Sequence, residues 1–374
     1  MRPTRPDMRT GAITMGTAPT GVDEAVSSMM ADAGVPGLSV CVVDKDGVLL
    51  ARGHGSADRA RGSAATASTQ YLWFSMTKIV TATAALRLAD EGRLDVAAPA
   101  ADYVDYLAAP RGEQPTVLHL LTHTAGLGNP LPIRWVHPAD DPAPDADALL
   151  RRLMRRRGIH RYPVNAAARY SNVGYLALGQ VISAAVGMPF EAYVEESILR
   201  PLRMTSTGFR YAAGSDRATG YVRGPRVMDP LLRRVLPPGI AGPRSGPYLA
   251  LNPFYVDGPA YGGLVGDVLD AGAFLRMHLR DGELDGERIL SAPTARAMRN
   301  IDHPGKPFDH GTGWFRRPSD ATDTWVEHFG AGAGFWNVMR LYPERGVGIV
   351  LMSNSTRTYD FEPLFALLAG TRWS

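Results

Sequence analysis

Phe74-Ser75-Met76-Thr77-Lys78 opens an apolar run that continues to Leu86, and Lys78 is the only charged residue between Arg61 and Arg87. A helix with so little polar surface is typical of one that is wrapped by other elements. We therefore predict a buried helix that begins at this stretch and ends before Gly92.

Ser75 and Lys78 are three residues apart, so they share one face of the first helical turn. A serine hydroxyl becomes a good nucleophile once a base takes its proton. Burial and the positive end of a helix dipole both lower the pKa of a lysine, which makes it such a base. Chance spacing is the alternative, but only three of the 40 Lys and Arg residues are lysines. The pair thus predicts nucleophilic catalysis.

The composition is that of an ordinary globular protein, with 374 residues, 45% hydrophobic and 21% charged. The net charge is only +3, and the densest basic cluster, residues 151–157, is typical of a solvated helix face, so no nucleic-acid partner is expected. Cys41 is the single cysteine and is expected to be a small buried hydrophobe.

Residues 1–20 are polar and contain prolines, which predicts a disordered N-terminal tail without the apolar core of a secretory signal. No run approaches the 18 apolar residues of a membrane span. We therefore expect a cytoplasmic protein with no membrane partner, while the oligomeric state is left open.

Strand patterns lie near both ends of the chain, and helical patterns lie between them. Strands are predicted at 37–44, 48–54, 324–329, 334–342 and 347–352, and helices at 22–33, 173–186, 190–199, 270–280 and 361–368. This order predicts an α+β fold with an antiparallel sheet built from both termini and flanked by helices. In one catalytic domain of residues 21–374, the α/β part would cover about 21–75 and 265–374, and an all-helical insertion about 76–264. Residues 130–147 are predicted to form a surface loop over a cleft.

Two further motifs carry polar groups suited to the same chemistry. In Tyr170-Ser171-Asn172, an extended backbone would point Tyr170 and Asn172 to the same side. A tyrosine near a lysine ammonium could act as a phenolate base, and an asparagine offers both a donor and an acceptor. Packing roles are the alternative for each side chain.

The second motif, His328-Phe-Gly-Ala-Gly332, is a strand end whose glycines allow a close approach of the backbone to a bound acyl group. A backbone N–H there, paired with that of Ser75, would form an oxyanion hole. His119 and His123 have the spacing of zinc-binding helices, but no glutamate follows His119, so no metal is expected.

With these motifs, the chain from about Gly37 to Asn354 resembles the serine β-lactamase and penicillin-binding-protein superfamily. It looks most similar to class C β-lactamases and to esterases, acyltransferases and D-amino peptidases of that shape. The resemblance also covers residues 120–127, 201–208, 262–264 and 342–348. It implies the α+β fold described above, with the site in the cleft between the sheet part and the helical part.

The resemblance also implies a role for each motif residue. Ser75 would be the acylated nucleophile, Lys78 its activating partner and Tyr170 the general base and acid. Asn172, His328 and Gly330 would bind the substrate, and the backbone N–H groups of Ser75 and Ala331 would receive the oxyanion. His328 stands where related enzymes carry a lysine that helps bind carboxylates, which predicts poor turnover of β-lactams.

The leading hypothesis is a serine hydrolase or acyltransferase that forms an acyl-enzyme on Ser75, of esterase type, acting on a small carboxylic ester, thioester or amide. A β-lactamase or D-amino peptidase is the alternative enzyme, and a catalytically silent relative that binds a ligand is the alternative of another class. An α/β-hydrolase is excluded because no Gly-x-Ser-x-Gly occurs. The expected partner is a small-molecule acyl substrate, with no cofactor.

Overall fold

A computed structural model describes residues 21–317, 324–356 and 361–373. The predicted disordered tail, residues 1–20, lies outside the described residues. The helices are α1 (Val22–Ala33), α2 (Thr77–Asp90), α3 (Val117–Leu121), α4 (Ala146–Met154), α5 (Asn172–Val186), α6 (Phe190–Val194), α7 (Asp229–Val235), α8 (Pro259–Gly262), α9 (Val268–Leu279), α10 (Ala292–Met298) and α11 (Glu362–Gly370).

The strands follow the same chain order. They are β1 (Gly37–Asp44), β2 (Val48–Asp58), β3 (Ser63–Ala64), β4 (Tyr71–Leu72), β5 (Val136–Pro138), β6 (Tyr221–Arg223), β7 (Ala241–Ser245), β8 (Tyr248–Leu251), β9 (Phe254–Val256), β10 (Val265–Gly266), β11 (Glu283–Leu284), β12 (Glu287–Arg288), β13 (Asp309–His310), β14 (Phe315–Arg316), β15 (Val326–Gly332), β16 (Phe335–Tyr342) and β17 (Val347–Ser353).

The main sheet has eight antiparallel strands in the order β13-β14-β15-β16-β17-β1-β2-β3. Its centre joins the two ends of the chain, because β1 pairs with β17 from Leu38 opposite Ser353 to Asp44 opposite Val347. The predicted α+β class, with a sheet built from both termini, is confirmed.

Both faces of the sheet centre are covered by helices, which explains why β1 and β17 are almost wholly apolar. Helix α9 packs on one face, where Gly272 approaches Cys41 so closely that a Cβ there would lie 2.9 Å from its Sγ. On the other face, α1 and α11 share an apolar cluster with β1 and β17. Cys41 is fully buried as expected, and burial raises the pKa of its thiol to about 12.

The predicted buried helix is α2, which packs against α5 and α8. Its residues from Thr77 to Ala85 are all buried. The α-helix begins two residues later than Ser75, because residues Phe74–Met76 form a short 3₁₀ turn that leads into it.

The region between the two halves of the sheet holds more than helices. Strands β6, β8 and β7 form a small three-stranded sheet there, and β5 pairs with β9. These strands have three to five residues each and lie in sequence rich in proline and glycine, so they carry too little alternation to be recognised from the sequence.

No single helix among the described residues has the length and apolar content to cross a membrane. The segments Asn172–Val186 and Phe190–Leu199 would meet those criteria only together, as a pair bent by 77°.

Candidate active site

Ser75 lies in the 3₁₀ turn at the start of α2, directly after a residue with an unusual backbone. Phe74 has φ 48°, in the left-handed region that an aromatic residue rarely adopts. Such a conformation costs about 1–3 kcal/mol and is found most often at functional sites. The surrounding core holds this turn in place, since Phe74 packs against Phe254 and Phe335.

Lys78 is fully buried one turn further along α2. Its Nζ lies 3.1 Å from Ser75 Oγ, 2.9 Å from Asn172 Oδ1 and 2.8 Å from the carbonyl oxygen of Tyr261. These three partners are all neutral oxygens, so none of them supplies a negative charge to balance a buried ammonium. Burial therefore lowers the pKa of Lys78 well below its usual value.

Tyr170 and Asn172 both reach this pair, as the extended Tyr170-Ser171-Asn172 backbone predicted. Tyr170 Oη donates a hydrogen bond of 2.6 Å to Ser75 Oγ, and Asn172 Oδ1 accepts one from Lys78. Ser171, between them, points the other way and caps α5, where its Oγ accepts from the N–H of Gly174.

The phenolate that the sequence suggested for Tyr170 does not fit these surroundings. Burial raises the pKa of the Tyr170 hydroxyl above its usual value of 10. The Nζ of Lys78 lies 4.7 Å from the centre of the Tyr170 ring. The phenol is therefore protonated at neutral pH, and the nearby amine is the group with the lowered pKa.

Three histidine rings pack around Tyr170. The ring centre of His123 lies 4.8 Å from that of Tyr170, and those of His328 and His310 lie 6.1 Å and 6.3 Å away. Burial lowers the pKa of all three imidazoles, that of His310 to about 4. They are neutral at neutral pH, so the surroundings of Lys78 gain no positive charge from them.

His328 lies in β15, and its ring packs beside Tyr170. Its side chain is buried, with Nδ1 2.7 Å from the carbonyl oxygen of Phe329, and its ring packs 4.5 Å from that of Phe315. Nε2 is also buried and has no hydrogen-bond partner among the described residues. His328 is not among the residues that line the cavity holding Ser75, so its contact with substrate stays a prediction.

The glycine of the same motif, Gly330, brings strand β15 against the 3₁₀ turn that carries Ser75. A Cβ at Gly330 would collide with the carbonyl oxygen of Trp73 and lie 3.2 Å from the backbone nitrogen of Ser75. Only glycine allows this approach. It brings the next residue, Ala331, to the wall of the cavity that contains Ser75.

That cavity has a volume of about 230 Å³ and a mostly apolar wall. Part of the wall comes from the segment predicted as a loop over a cleft, and the described lining includes no Asp, Glu, Lys or Arg. The lining residues are Phe74, Ser75, Pro132, Ile133, Trp135, Val136, Asn172, Leu236, Val256, Tyr261, Gly262, Ala331, Gly332 and Ala333. Two larger cavities, of about 860 and 400 Å³, lie elsewhere and contain neither Ser75 nor Lys78.

Sequence reasoning did not identify Tyr261 and Leu236 as part of the site. The backbone carbonyl of Tyr261 accepts from Lys78, and its ring centre lies 5.3 Å from Nζ. Every residue has a backbone carbonyl, so this acceptor could not be identified from the residue type. The neighbouring glycines 262 and 263 are the one sequence feature that is consistent with a close approach of this backbone to Lys78. Leu236 lies in the proline-rich region that showed no periodicity.

Sequence comparison identifies the family. The model of a family described as Beta-lactamase matches residues 22–369. Penicillin-binding protein 4 of Amycolatopsis lactamdurans is 26% identical over 367 residues, 93% of this chain and 88% of that protein. The putative penicillin-binding protein PbpX of Bacillus subtilis (strain 168) is 27% identical over 213 residues, 56% of this chain but only 51% of that protein.

Solved structures with the same fold cover almost the whole chain. An octameric penicillin-binding protein homologue from Pyrococcus abyssi has a TM-score of 0.77 and 25% identity, and the match covers 95% of this chain and 78% of that one. EstCE1, a hydrolase with promiscuous acyltransferase activity, has a TM-score of 0.73 and covers 94% of this chain and 98% of its own. Its identity of 19% makes it evidence for the fold alone.

Proposed function

This chain belongs to the β-lactamase family of serine hydrolases, and from that premise we propose that it is an esterase-type enzyme that acylates Ser75 with small, uncharged acyl groups. One observation carries the proposal. Ser75 Oγ lies between Lys78 Nζ at 3.1 Å and Tyr170 Oη at 2.6 Å, and it opens into a cavity whose described lining is uncharged.

Proton counting at Lys78 supports its role as the base for Ser75. A neutral amine has two hydrogens and one lone pair. Two of its three partners, Asn172 Oδ1 and the Tyr261 carbonyl oxygen, can only accept, so they take the two hydrogens. The lone pair is then left for the third partner, the hydroxyl of Ser75. In its neutral form, which burial favours, Lys78 is therefore placed to receive the serine proton directly.

The reaction balances with the groups present. The proton of Ser75 passes to Lys78 as Oγ attacks the carbonyl carbon, and the carbonyl electron pair moves to oxygen. The N–H groups of Ser75 and Ala331 are proposed to receive that oxyanion. When the C–O bond of the ester breaks, the leaving alkoxide takes a proton from Tyr170. Water or another alcohol then gives its proton to the Tyr170 phenolate as it attacks the acyl-enzyme. Oγ of Ser75 leaves with the proton held by Lys78, which restores all three groups.

The cavity wall favours uncharged, apolar acyl groups. A carboxylate brought into a lining without cations would lose its hydration and gain no ionic partner. The volume of about 230 Å³ suits a small or medium-sized acyl chain.

A β-lactamase or D-amino peptidase is the competing proposal, and the penicillin-binding relatives favour it. Both β-lactams and peptides with a free C-terminus present a carboxylate. The position where a cation would meet that group carries His328, which is buried and whose pKa is lowered by its surroundings. The wall of the cavity thus argues for the ester.

Mass spectrometry of the intact protein tests the proposal. The protein is mixed with a p-nitrophenyl ester of a short acyl chain, a thioester of the same acid and a β-lactam, and adduct mass and lifetime are followed. We expect an adduct with the ester that forms and decays faster than any adduct with the β-lactam.

Ser75→Ala is the control, since the adduct should disappear while the circular dichroism spectrum is unchanged. A faster and more productive reaction with the β-lactam would favour the competing enzyme. Failure to acylate with any of the three compounds would favour a relative that binds a ligand without reacting.

A further inference from the structure

The most exposed large apolar side chains of the described residues are not scattered over the surface. Five of them lie in two segments, 130–134 and 225–236, and we call these five side chains the apolar rim: Leu131, Ile133, Val227, Met228 and Leu231. Their exposed fractions range from 42% for Met228 to 82% for Val227, whereas the other exposed large apolar residues reach only 36–37%.

Both segments border the cavity of Ser75. Ile133 and Pro132 line it from the first segment, and Leu236 lines it from the end of the second. Helix α7, which makes up most of the second segment, has no buried residue of its own. A helix without a buried face gains little from the protein core, so its apolar side chains are available for another surface.

The charges around the apolar rim are mostly positive. The two segments contain Arg134, Arg226, Arg233 and Arg234 and one acidic residue, Asp229, which gives a net charge of +3. Asp229 is already bound by Arg244, whose Nε donates to Oδ2 at 2.8 Å. Apolar side chains surrounded by arginines are the combination that binds anionic lipid headgroups and the acyl region beneath them.

We propose that the apolar rim docks on an anionic lipid surface and turns the mouth of the Ser75 cavity toward it. The absence of a spanning segment led us to expect no membrane partner, but that argument does not extend to peripheral binding. A second copy of the chain is the other possible occupant. A symmetric contact through this surface would bring two sets of arginines together, which disfavours it.

Co-sedimentation with vesicles tests the docking. Wild-type protein is mixed with vesicles of phosphatidylcholine alone, or of phosphatidylcholine with phosphatidylglycerol, at low and at high salt. We expect binding to the vesicles that contain phosphatidylglycerol, weakened by salt because the arginine contribution is screened. Absence of binding to both kinds of vesicle would overturn the proposal.

Matched variants separate the rim from the rest of the surface. Val227→Ser/Leu231→Ser should reduce the bound fraction at least about tenfold, since each change removes apolar area from the lipid contact. Arg226→Gln/Arg234→Gln should reduce it and weaken its salt dependence. The controls Leu118→Ser/Leu367→Ser and Arg156→Gln/Arg157→Gln remove similar groups elsewhere and should bind as wild type does.

If Val227→Ser/Leu231→Ser binds vesicles unchanged, the rim is not the docking surface. Sedimentation velocity tests whether a second copy of the chain occupies the rim instead. If wild type self-associates, Val227→Ser/Leu231→Ser does not, and wild type binds no vesicles, the rim is a contact between copies of the chain and the proposal is overturned.

A second experiment measures ester hydrolysis. It rests on the proposed function, so it is interpreted separately from the vesicle-binding assay. Hydrolysis of a p-nitrophenyl ester dissolved in the vesicles should lose rate in Val227→Ser/Leu231→Ser, while hydrolysis of a water-soluble ester stays at the wild-type rate. Vesicle binding without hydrolysis of either ester would leave the docking intact and count against the esterase proposal alone.

Discussion

The hydroxyl oxygen of Tyr170 lies 2.6 Å from Oγ of Ser75, although the two residues are 95 positions apart. Lys78 reaches the same Oγ from the other direction, at 3.1 Å. Burial acts on the two partners in opposite senses, because it disfavours the charged form of each. It lowers the pKa of the amine and raises that of the phenol. The serine therefore lies between an amine of lowered pKa and a phenol of raised pKa, the pair that the proposed base and acid require.

Lys78→Met should abolish most of the acylation of Ser75. It removes the proposed base while filling the same buried space, and a general base typically contributes about 10²–10⁴-fold in rate. The burst of p-nitrophenol on mixing with excess ester measures acylation directly. Lys45→Met, in the exposed turn between β1 and β2, is the matched control and should react as wild type does. A burst of unchanged rate in Lys78→Met would rule out the lysine as base.

The stability of the fold should depend on pH through Lys78. In the unfolded chain this lysine keeps its proton up to about pH 10.4, whereas in the fold its lowered pKa makes it neutral at lower pH. The unfolded state thus binds one more proton, so the free energy of unfolding rises with pH by about 1.4 kcal/mol per unit between the two pKa values.

Urea titrations of wild type and Lys78→Met between about pH 7 and 9.5 measure this effect, and the difference between the two proteins cancels the other groups. As pH rises, we expect the free energy of unfolding of wild type to increase relative to that of Lys78→Met. Parallel curves would mean that the buried lysine keeps its proton.

Tyr170→Phe should lower kcat by about 10²–10⁴-fold with little change in KM, since only the proposed proton donor is removed. Tyr175→Phe is a close control: Tyr175 is also buried near Lys78, but its hydroxyl donates to the carbonyl oxygen of Leu121 rather than to Ser75. That variant should lose stability and keep most of its kcat. Equal losses of kcat in both variants would point to packing around Lys78 instead of proton transfer.

Gly330→Ala should damage both the fold and the reaction. The added methyl would collide with the carbonyl oxygen of Trp73, so β15 must move away from the turn that carries Ser75. Overpacking of this kind costs about 1–3 kcal/mol, and the shift would separate the two proposed oxyanion donors. Thermal unfolding and acylation rate check this, with Gly47→Ala as control because no heavy atom lies within 4 Å of its added Cβ. Normal acylation in Gly330→Ala would exclude Ala331 from the oxyanion hole.

His328→Leu distinguishes packing from substrate binding. If the imidazole only packs against Tyr170 and Phe315, the variant should fold, keep KM and lose less than about tenfold in kcat. Loss of Nε2, which has no partner among the described residues, should cost little stability, and loss of the Nδ1 contact with the carbonyl oxygen of Phe329 about 1 kcal/mol. A large rise of KM for neutral esters would instead return His328 to the role that its motif suggested.

Much of the fold could be read from local pattern. Helix α1 has the predicted bounds, and β1, β16 and β17 agree with prediction to within a residue, because each is an apolar run between clear turn signals. The strands β6 to β9 could not be predicted, since they are short and their pairing is decided by contacts with distant residues.

The site divides in the same way. Spacing alone brought Ser75 and Lys78 together, and alternation aligned Tyr170 with Asn172. The protonation of Tyr170 and the buried place of His328 depend on how much of each group is covered, which only the tertiary structure decides. The carbonyl of Tyr261 belongs to the backbone, so the amino-acid sequence does not reveal that it accepts a hydrogen bond from Lys78.

The order of strands in the main sheet also governs when the protein becomes active during its synthesis. Strand β1 lies between β2 and β17, so the ribosome must make more than 300 further residues before β1 gains its second neighbour. The hydrogen bond from the N–H of Gly37 to Oδ1 of Asn354, for example, joins residues 317 positions apart. Pairing over such distances is slow to form. Ser75, in the turn before α2, emerges about 250 residues before β15, the strand that borders it. A nascent chain therefore carries Ser75 without the strand beside it, and the proposed acylation would begin only after β15 to β17 have joined the sheet.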